Sequence, residues 1–113
     1  MEINKYEEIA LSTLCDGHDF GEISPKLVDQ VFGLTGEAGE VAEKFKKIIR
    51  DKKGIINDTD KQEIMKELGD VLWYVTTVSH LIGSSLEEVA KMNNDKLLSR
   101  KARDKIAGDG DNR

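Results

Sequence analysis

Glu37-Ala38-Gly39-Glu40-Val41-Ala42 returns thirty residues further on as Glu67-Leu68-Gly69-Asp70-Val71-Leu72. Each copy reads acid, small or apolar, Gly, acid, then two apolar residues. In a helix, acids at i and i+3 lie on one face about a turn apart. The flanking residues carry the helical period. Leu27, Val31, Leu34, Ala38, Val41, Ala42, Phe45, Ile48 and Ile49 form one apolar stripe, and Ile64, Leu68, Val71, Leu72, Val75, Val78 and Ile82 form another. At about 100° per residue, Glu37 and Glu40 lie roughly 90° and 150° from the centre of their stripe, and Glu67 and Asp70 roughly 80° and 140° from theirs. Two such helices side by side bring four carboxylates together at the rim of a buried face.

The rest of the chain fits an all-α, four-helix bundle-like fold. The only proline is Pro25, and period-two alternation of β-branched residues is scarce. A first helix is expected over about Asn4 to Leu14, followed by the turn-rich Asp16-Gly17-His18-Asp19-Phe20-Gly21. Ser24 caps a second helix with Pro25 in its first turn, running to about Arg50. Asp60 with Glu63 reads as a capping box opening a third helix that ends near Ile82. Ser84 or Ser85 caps a fourth, which continues through the basic stretch Lys96 to Lys105. The third helix is apolar on more than one side, since Trp73, Tyr74 and Leu81 fall outside its stripe, which marks a central bundle position or a subunit interface. Gly33, Gly36 and Gly39 interrupt the second helix at about 1 kcal/mol each against alanine. Close approach of another backbone or a ligand, or a local break near Thr35-Gly36, would account for them.

At 113 residues the chain is one domain, with residues 1–26 as an N-terminal helix and loop and 104–113 as a tail without packing pattern, expected to be mobile. Its core is modest and suited to completion by oligomerisation. The net charge of −5 argues against coating a nucleic-acid polymer. A single Cys15 beside Leu14, read as structural, and the absence of zinc-ligand spacing point to a reducing, cytoplasmic setting. No apolar leader stands at the N-terminus, and the uncharged run Val71 to Leu86 is too short and polar to span a bilayer, so a soluble protein with no membrane partner is expected.

Twenty-two acidic residues make chance i, i+3 pairs inevitable, and Glu40 with Glu43 is one. A repeated pair at a shared angular offset is less easily dismissed, because clustered carboxylates repel unless a cation or a proton intervenes. All-oxygen ligation favours Mg²⁺, with Mn²⁺ as a substitute, over zinc or copper. Di-iron helical sites use Glu-x-x-His, a spacing that neither His18 nor His80 satisfies. A solvated acidic face on a non-enzymatic oligomerisation module is the alternative of another class. Lys44 and Lys47 read as structural partners of Glu40 and Glu43. Trp73 and Tyr74 suit core or dimer packing more than base stacking.

The combination Leu34-Thr35-Gly36-Glu37-Ala38-Gly39-Glu40, Lys66-Glu67-Leu68-Gly69-Asp70-Val71-Leu72-Trp73-Tyr74, Asn93-Asn94-Asp95-Lys96-Leu97, Arg100-Lys101-Ala102-Arg103 and the closing Gly108-Asp109-Gly110-Asp111-Asn112-Arg113 resembles the MazG-like nucleotide pyrophosphohydrolases from about residue 27 onward. That resemblance implies a helical homodimer, or a dimer of dimers. It implies Mg²⁺ held by Glu37, Glu40, Glu67 and Asp70, and cleavage of nucleoside triphosphates to monophosphate and pyrophosphate, an activity suited to house-cleaning of non-canonical nucleotides. Glu37 or Glu40 would take the proton of the attacking water. Asn93, Lys96 and Arg100, spaced a turn apart, would contact phosphate; without the resemblance they read as a solvated face complementing the helix dipole. The related phosphoribosyl-ATP pyrophosphohydrolases are the neighbouring alternative. Residues 1–26 match no part of the pattern, and base selectivity is expected there.

Overall fold

A computed structural model describes residues 1–113. It is all-helical: α1 (Ile3–Ser12), α2 (Pro25–Lys52), α3 (Asp58–Leu81) and α4 (Leu86–Ala102). Ser24 caps α2 by accepting from the Leu27 amide, with Pro25 at the first helical position. The helix runs unbroken through Gly33, Gly36 and Gly39 and stops where Lys53 and Gly54 turn left-handed. The capping box of α3 lies three residues earlier than the sequence suggested. Asn57 Oδ1 accepts from the Asp60 amide at 2.8 Å, while Asp60 Oδ2 accepts from the Asn57 amide at 3.1 Å. Asp60 is thus the third residue of the helix rather than its cap, because Asn57 holds the extended backbone that a cap requires. Ser85 caps α4, accepting from the Glu88 amide, and the Ser84 hydroxyl donates to the Glu88 carboxylate.

The α2–α3 hairpin is the body of the molecule, and its antiparallel register can be followed along its length. Lys52 meets Asp60 at the loop end (2.7 Å) and Lys44 faces Glu63 (3.9 Å). Further along, Gly33 receives the Tyr74 ring, and the Thr77 hydroxyl donates to Gln30 Oε1 (2.9 Å). A Cβ at Gly33 would lie inside the van der Waals envelope of that ring, so close approach explains this glycine. Gly36 and Gly39 face open space. Lys44 therefore pairs across the hairpin rather than with Glu40, whereas Lys47 takes Glu43 as expected.

α4 packs on α3, and α1 packs on neither the hairpin nor α4. Only Ile48 and Ile64 form a buried apolar core, with Ser79 and Arg100 the buried polar residues. The radius of gyration is 20.0 Å, against about 13 Å for a compact domain of this length. The accessible surface is 9483 Å², against about 6,200 Å² for a compact monomer of 12.6 kDa. Within one chain the helices therefore do not close around a common core. Tyr6, Ile9 and Leu14 of the N-terminal segment and Leu68, Leu72 and Trp73 of α3 stay at least half exposed or nearly so. Cys15, read as structural, is exposed, because the segment that carries it has nothing in the chain to pack against.

Residues 104–113 fold back on α4. The Arg100 guanidinium donates to the carbonyls of Asp111 (2.6 Å) and Gly110 (3.4 Å) and lies 3.5 Å from the Asp111 carboxylate. Arg103 donates to the Arg113 carbonyl, and Arg113 in turn donates to the carbonyls of Lys105 and Ile106. Where periodicity offered no packing pattern for the tail, arginine-to-carbonyl hydrogen bonds give it one. No helix is long and apolar enough to cross a membrane.

Candidate metal centre

Midway along the hairpin, between the Lys44–Glu63 pair and the Gly33–Tyr74 contact, three of the four repeated acids converge. Carboxylate oxygens of Glu37, Glu67 and Asp70 all lie within 4.8 Å of one another. The geometry follows from the register. Glu37 stands on the face of α2 that looks across at α3, and Glu67 and Asp70 are one turn apart on the opposing helix. Glu37 and Glu67 are half-buried and Asp70 is exposed. Glu40, the fourth acid of the repeat, is exposed and lies outside the cluster, near enough for its charge to act on Glu37.

The electrostatics are those of crowded like charges. The Glu37 carboxyl is pushed above the ordinary glutamate range, first by partial desolvation, then by the adjoining Glu67 carboxyl, and then by the negative charges of Asp70, Glu67 and Glu40. A group in this setting gains from a proton or a cation at the centre of the cluster. The donor set is three oxygens with no nitrogen or sulfur, which fits a hard divalent cation such as Mg²⁺ or Mn²⁺.

Of the residues expected at phosphate, Asn93 is exposed on α4. Lys96 donates to the Asp111 carboxylate at 3.1 Å. Arg100, 4% exposed, is occupied by the tail, with its Nε buried and without a partner. Lys96 and Arg100 thus converge on one anion, the Asp111 carboxylate, whose pKa they hold below the ordinary aspartate range, Lys96 contributing first. The polar pair Gln30 and Thr77, two turns from the acids, was not singled out from sequence. The signal for it was the antiparallel register, extended beyond the acidic repeat.

Fold and cluster together define an all-helical protein that presents a carboxylate site from two antiparallel helices. Its family follows from comparison: residues 30–103 match the MazG nucleotide pyrophosphohydrolase domain, and the chain belongs to that family. It is 49% identical over 81 residues to the Gene 37 protein of Mycobacterium phage L5, covering 72% of this chain and 71% of that one. It is 36% identical over 72 residues to the uncharacterized protein YvdC of Bacillus subtilis strain 168, covering 59% of this chain and 68% of the relative. No solved structure gives a significant match.

Proposed function

We propose that the chain is a Mg²⁺-dependent nucleoside triphosphate pyrophosphohydrolase that releases nucleoside monophosphate and pyrophosphate. The observation that carries the reading is the meeting of Glu37, Glu67 and Asp70 from two helices within 4.8 Å, in a chain of this family. Glu37, Glu67 and Asp70 would hold the metal, and Glu40, one turn along α2 and outside the cluster, would lie beside it. Bound Mg²⁺ supplies neutralisation of phosphate charge and activation of a water. Glu37 or Glu40, the two acids of α2 at the cluster, would accept the proton of the attacking water. Water oxygen would add to the α-phosphorus as its proton passes to that carboxylate, and the bridging P–O bond would break with the bridging oxygen and its electron pair leaving on pyrophosphate.

Asn93 and Lys96 meet phosphate oxygens from α4. Lys96 already binds a carboxylate, which supports its use as an anion contact. Arg100 joins them where a phosphate takes the place of Asp111. The working unit is a homodimer or a dimer of dimers. The chain exposes about 3,300 Å² more than a compact monomer of its mass, and a standard interface hides about 800 Å² per partner. The protein acts in the cytoplasm, where removal of non-canonical nucleotides is one role the activity serves.

The reading is tested by incubating the purified protein and Mg²⁺ with a panel of ordinary and modified triphosphates. Monophosphate and pyrophosphate are the expected products. Diphosphate and orthophosphate, or no turnover of any member, would overturn it.

A further inference from the structure

Three cavities open on the surface. The one near Lys44 and Asp60 is lined by charges already paired with one another, Lys44 with Glu63 and Lys52 with Asp60, and the one bounded by Phe20, Ile23, Leu27 and Phe32 has no polar group to orient a ligand. The third, of about 480 Å³, is different. It lies between Lys26 and Gln30 of α2 and Trp73, Thr76, Thr77 and His80 of α3. Its volume is within the usual range for a small-molecule pocket.

Its position follows from the hairpin register. Gln30 lies two turns before Glu37 and within about 20° of it around α2, and Thr77 stands in the same relation to Asp70 on α3. Because the helices are antiparallel, both steps lead the same way, about 10 Å along the groove. Trp73 is nearer, one turn from Asp70. The layer between is the Gly33–Tyr74 contact, where the Tyr74 ring packs on the α2 backbone. By helix register Gln30 and Thr77 face the same side as Glu37 and Asp70, about 10 Å away, a span that a sugar and one phosphate would bridge.

The lining is chemically matched to a heteroaromatic ring. Trp73 is 56% exposed, and the Tyr74 ring packs edge-on against it at 4.9 Å between centroids, bracing the indole. Exposed indole faces stack bases of any sequence. Gln30 Oε1 already accepts from Thr77, which leaves the Gln30 amide as a donor. Lys26, one turn away on the same helix, adds a second donor. Thr76 donates to the Leu72 carbonyl and keeps its oxygen lone pairs as acceptors. Two donors on the α2 wall favour a ring that carries a carbonyl oxygen.

We infer that this cavity receives the base of the nucleotide, stacked on Trp73, with a ring carbonyl turned toward Gln30 and Lys26, so that the carbonyl-bearing bases are preferred to adenine. The inference rests on the reading of the carboxylate cluster as a nucleotide site, and it moves base recognition from the N-terminal helix and loop to the α2–α3 groove, with Lys26 the one lining residue from residues 1–26.

Trp73 is the only tryptophan, so its fluorescence reports on the cavity directly. The probes are the α,β-imido analogues of UTP, GTP and ATP with Mg²⁺, and inorganic tripolyphosphate as the control without a base. The UTP and GTP analogues are expected to shift the emission at lower concentration than the ATP analogue, and tripolyphosphate not to shift it. Gln30→Leu should raise KM for carbonyl-bearing substrates roughly three- to tenfold. Trp73→Ala should raise it roughly tenfold or more for all bases. Sedimentation should give both variants the wild-type mass. Unchanged KM in both variants with no emission change, or adenine preferred, would overturn the pocket while pyrophosphate release left the nucleotide reading standing. Dissociation of the oligomer in Trp73→Ala, with Gln30→Leu behaving as wild type, would make Trp73 an interface residue and overturn it too. No turnover of any triphosphate by the wild type would remove both readings together.

Discussion

Gly33 and Gly36 sit one turn apart on the same helix, and the same substitution should act on them with opposite sign. Gly→Ala within a helix gains about 1 kcal/mol from reduced backbone freedom in the unfolded chain. Gly36 faces open space, so Gly36→Ala should realise that gain. At Gly33 the new methyl would fall inside the Tyr74 ring, whose rigid atoms can move only by turning the whole side chain away from α2. Forced overpacking of this kind costs about 1–3 kcal/mol. The propensity gain is common to both variants and cancels, so Gly33→Ala should be less stable than Gly36→Ala by about 1–3 kcal/mol. Urea titration monitored by helical circular dichroism measures the difference at a single protein concentration. Tyr74→Leu should relieve the clash, so that Gly33→Ala costs less in that background than in the wild type, a coupling of the kind a double-mutant cycle resolves. Equal stability of Gly33→Ala and Gly36→Ala, or no coupling to Tyr74, would refute the close approach on which the hairpin register is built.

Further outcomes follow from the same geometry. Asn57→Ala removes the α3 cap and should lower stability by about 1 kcal/mol, read as a lower thermal midpoint. The Lys52 ammonium, then the Asn57 amide, hold the Asp60 carboxyl below the ordinary aspartate range. Its stabilising contribution is therefore complete above the unfolded-state value of about 4 and is lost as pH falls through the lower folded-state value, so the destabilisation by Asp60→Ala should be present at pH 7 and shrink toward pH 3. Arg100→Ala removes the anchor of residues 104–113, and trypsin should then cut after Arg103 and Lys105 severalfold faster than in the wild type. Mg²⁺ at a hundredfold excess over its dissociation constant should stabilise the native protein by about 2.7 kcal/mol, with the rise in midpoint abolished in Asp70→Ala.

The long helices were legible because their signals are local. The stripes of α2 and α3, Ser24 before Pro25, and the serines before Leu86 each act within a turn or two. The convergence of Glu37, Glu67 and Asp70 was legible because a repeat on two adjacent helices constrains both. Glu40 shares the spacing but not the placement. An i+3 step on a helix turns about 60° short of a full circle, and on α2 that turn carries the side chain out of the groove. The α3 cap was misplaced by three residues because Asn57 and Asp60 are both good caps, and only backbone conformation tells them apart. The tail was missed because its anchors are arginine-to-carbonyl hydrogen bonds, which leave no hydrophobic periodicity. Cys15 was read as structural from its neighbour Leu14, but the segment that carries it has no partner within the chain.

In the proposed reaction Glu37, Glu67 and Asp70 act together on a nucleotide through a bound divalent cation. Its most direct test is pyrophosphate release from nucleoside triphosphates at saturating Mg²⁺ by the wild type and by Glu67→Ala, with helical content and oligomeric mass checked for both. Release by the wild type, loss of turnover by about a hundredfold or more in the variant, and an intact fold are expected. Undiminished release by Glu67→Ala would contradict it.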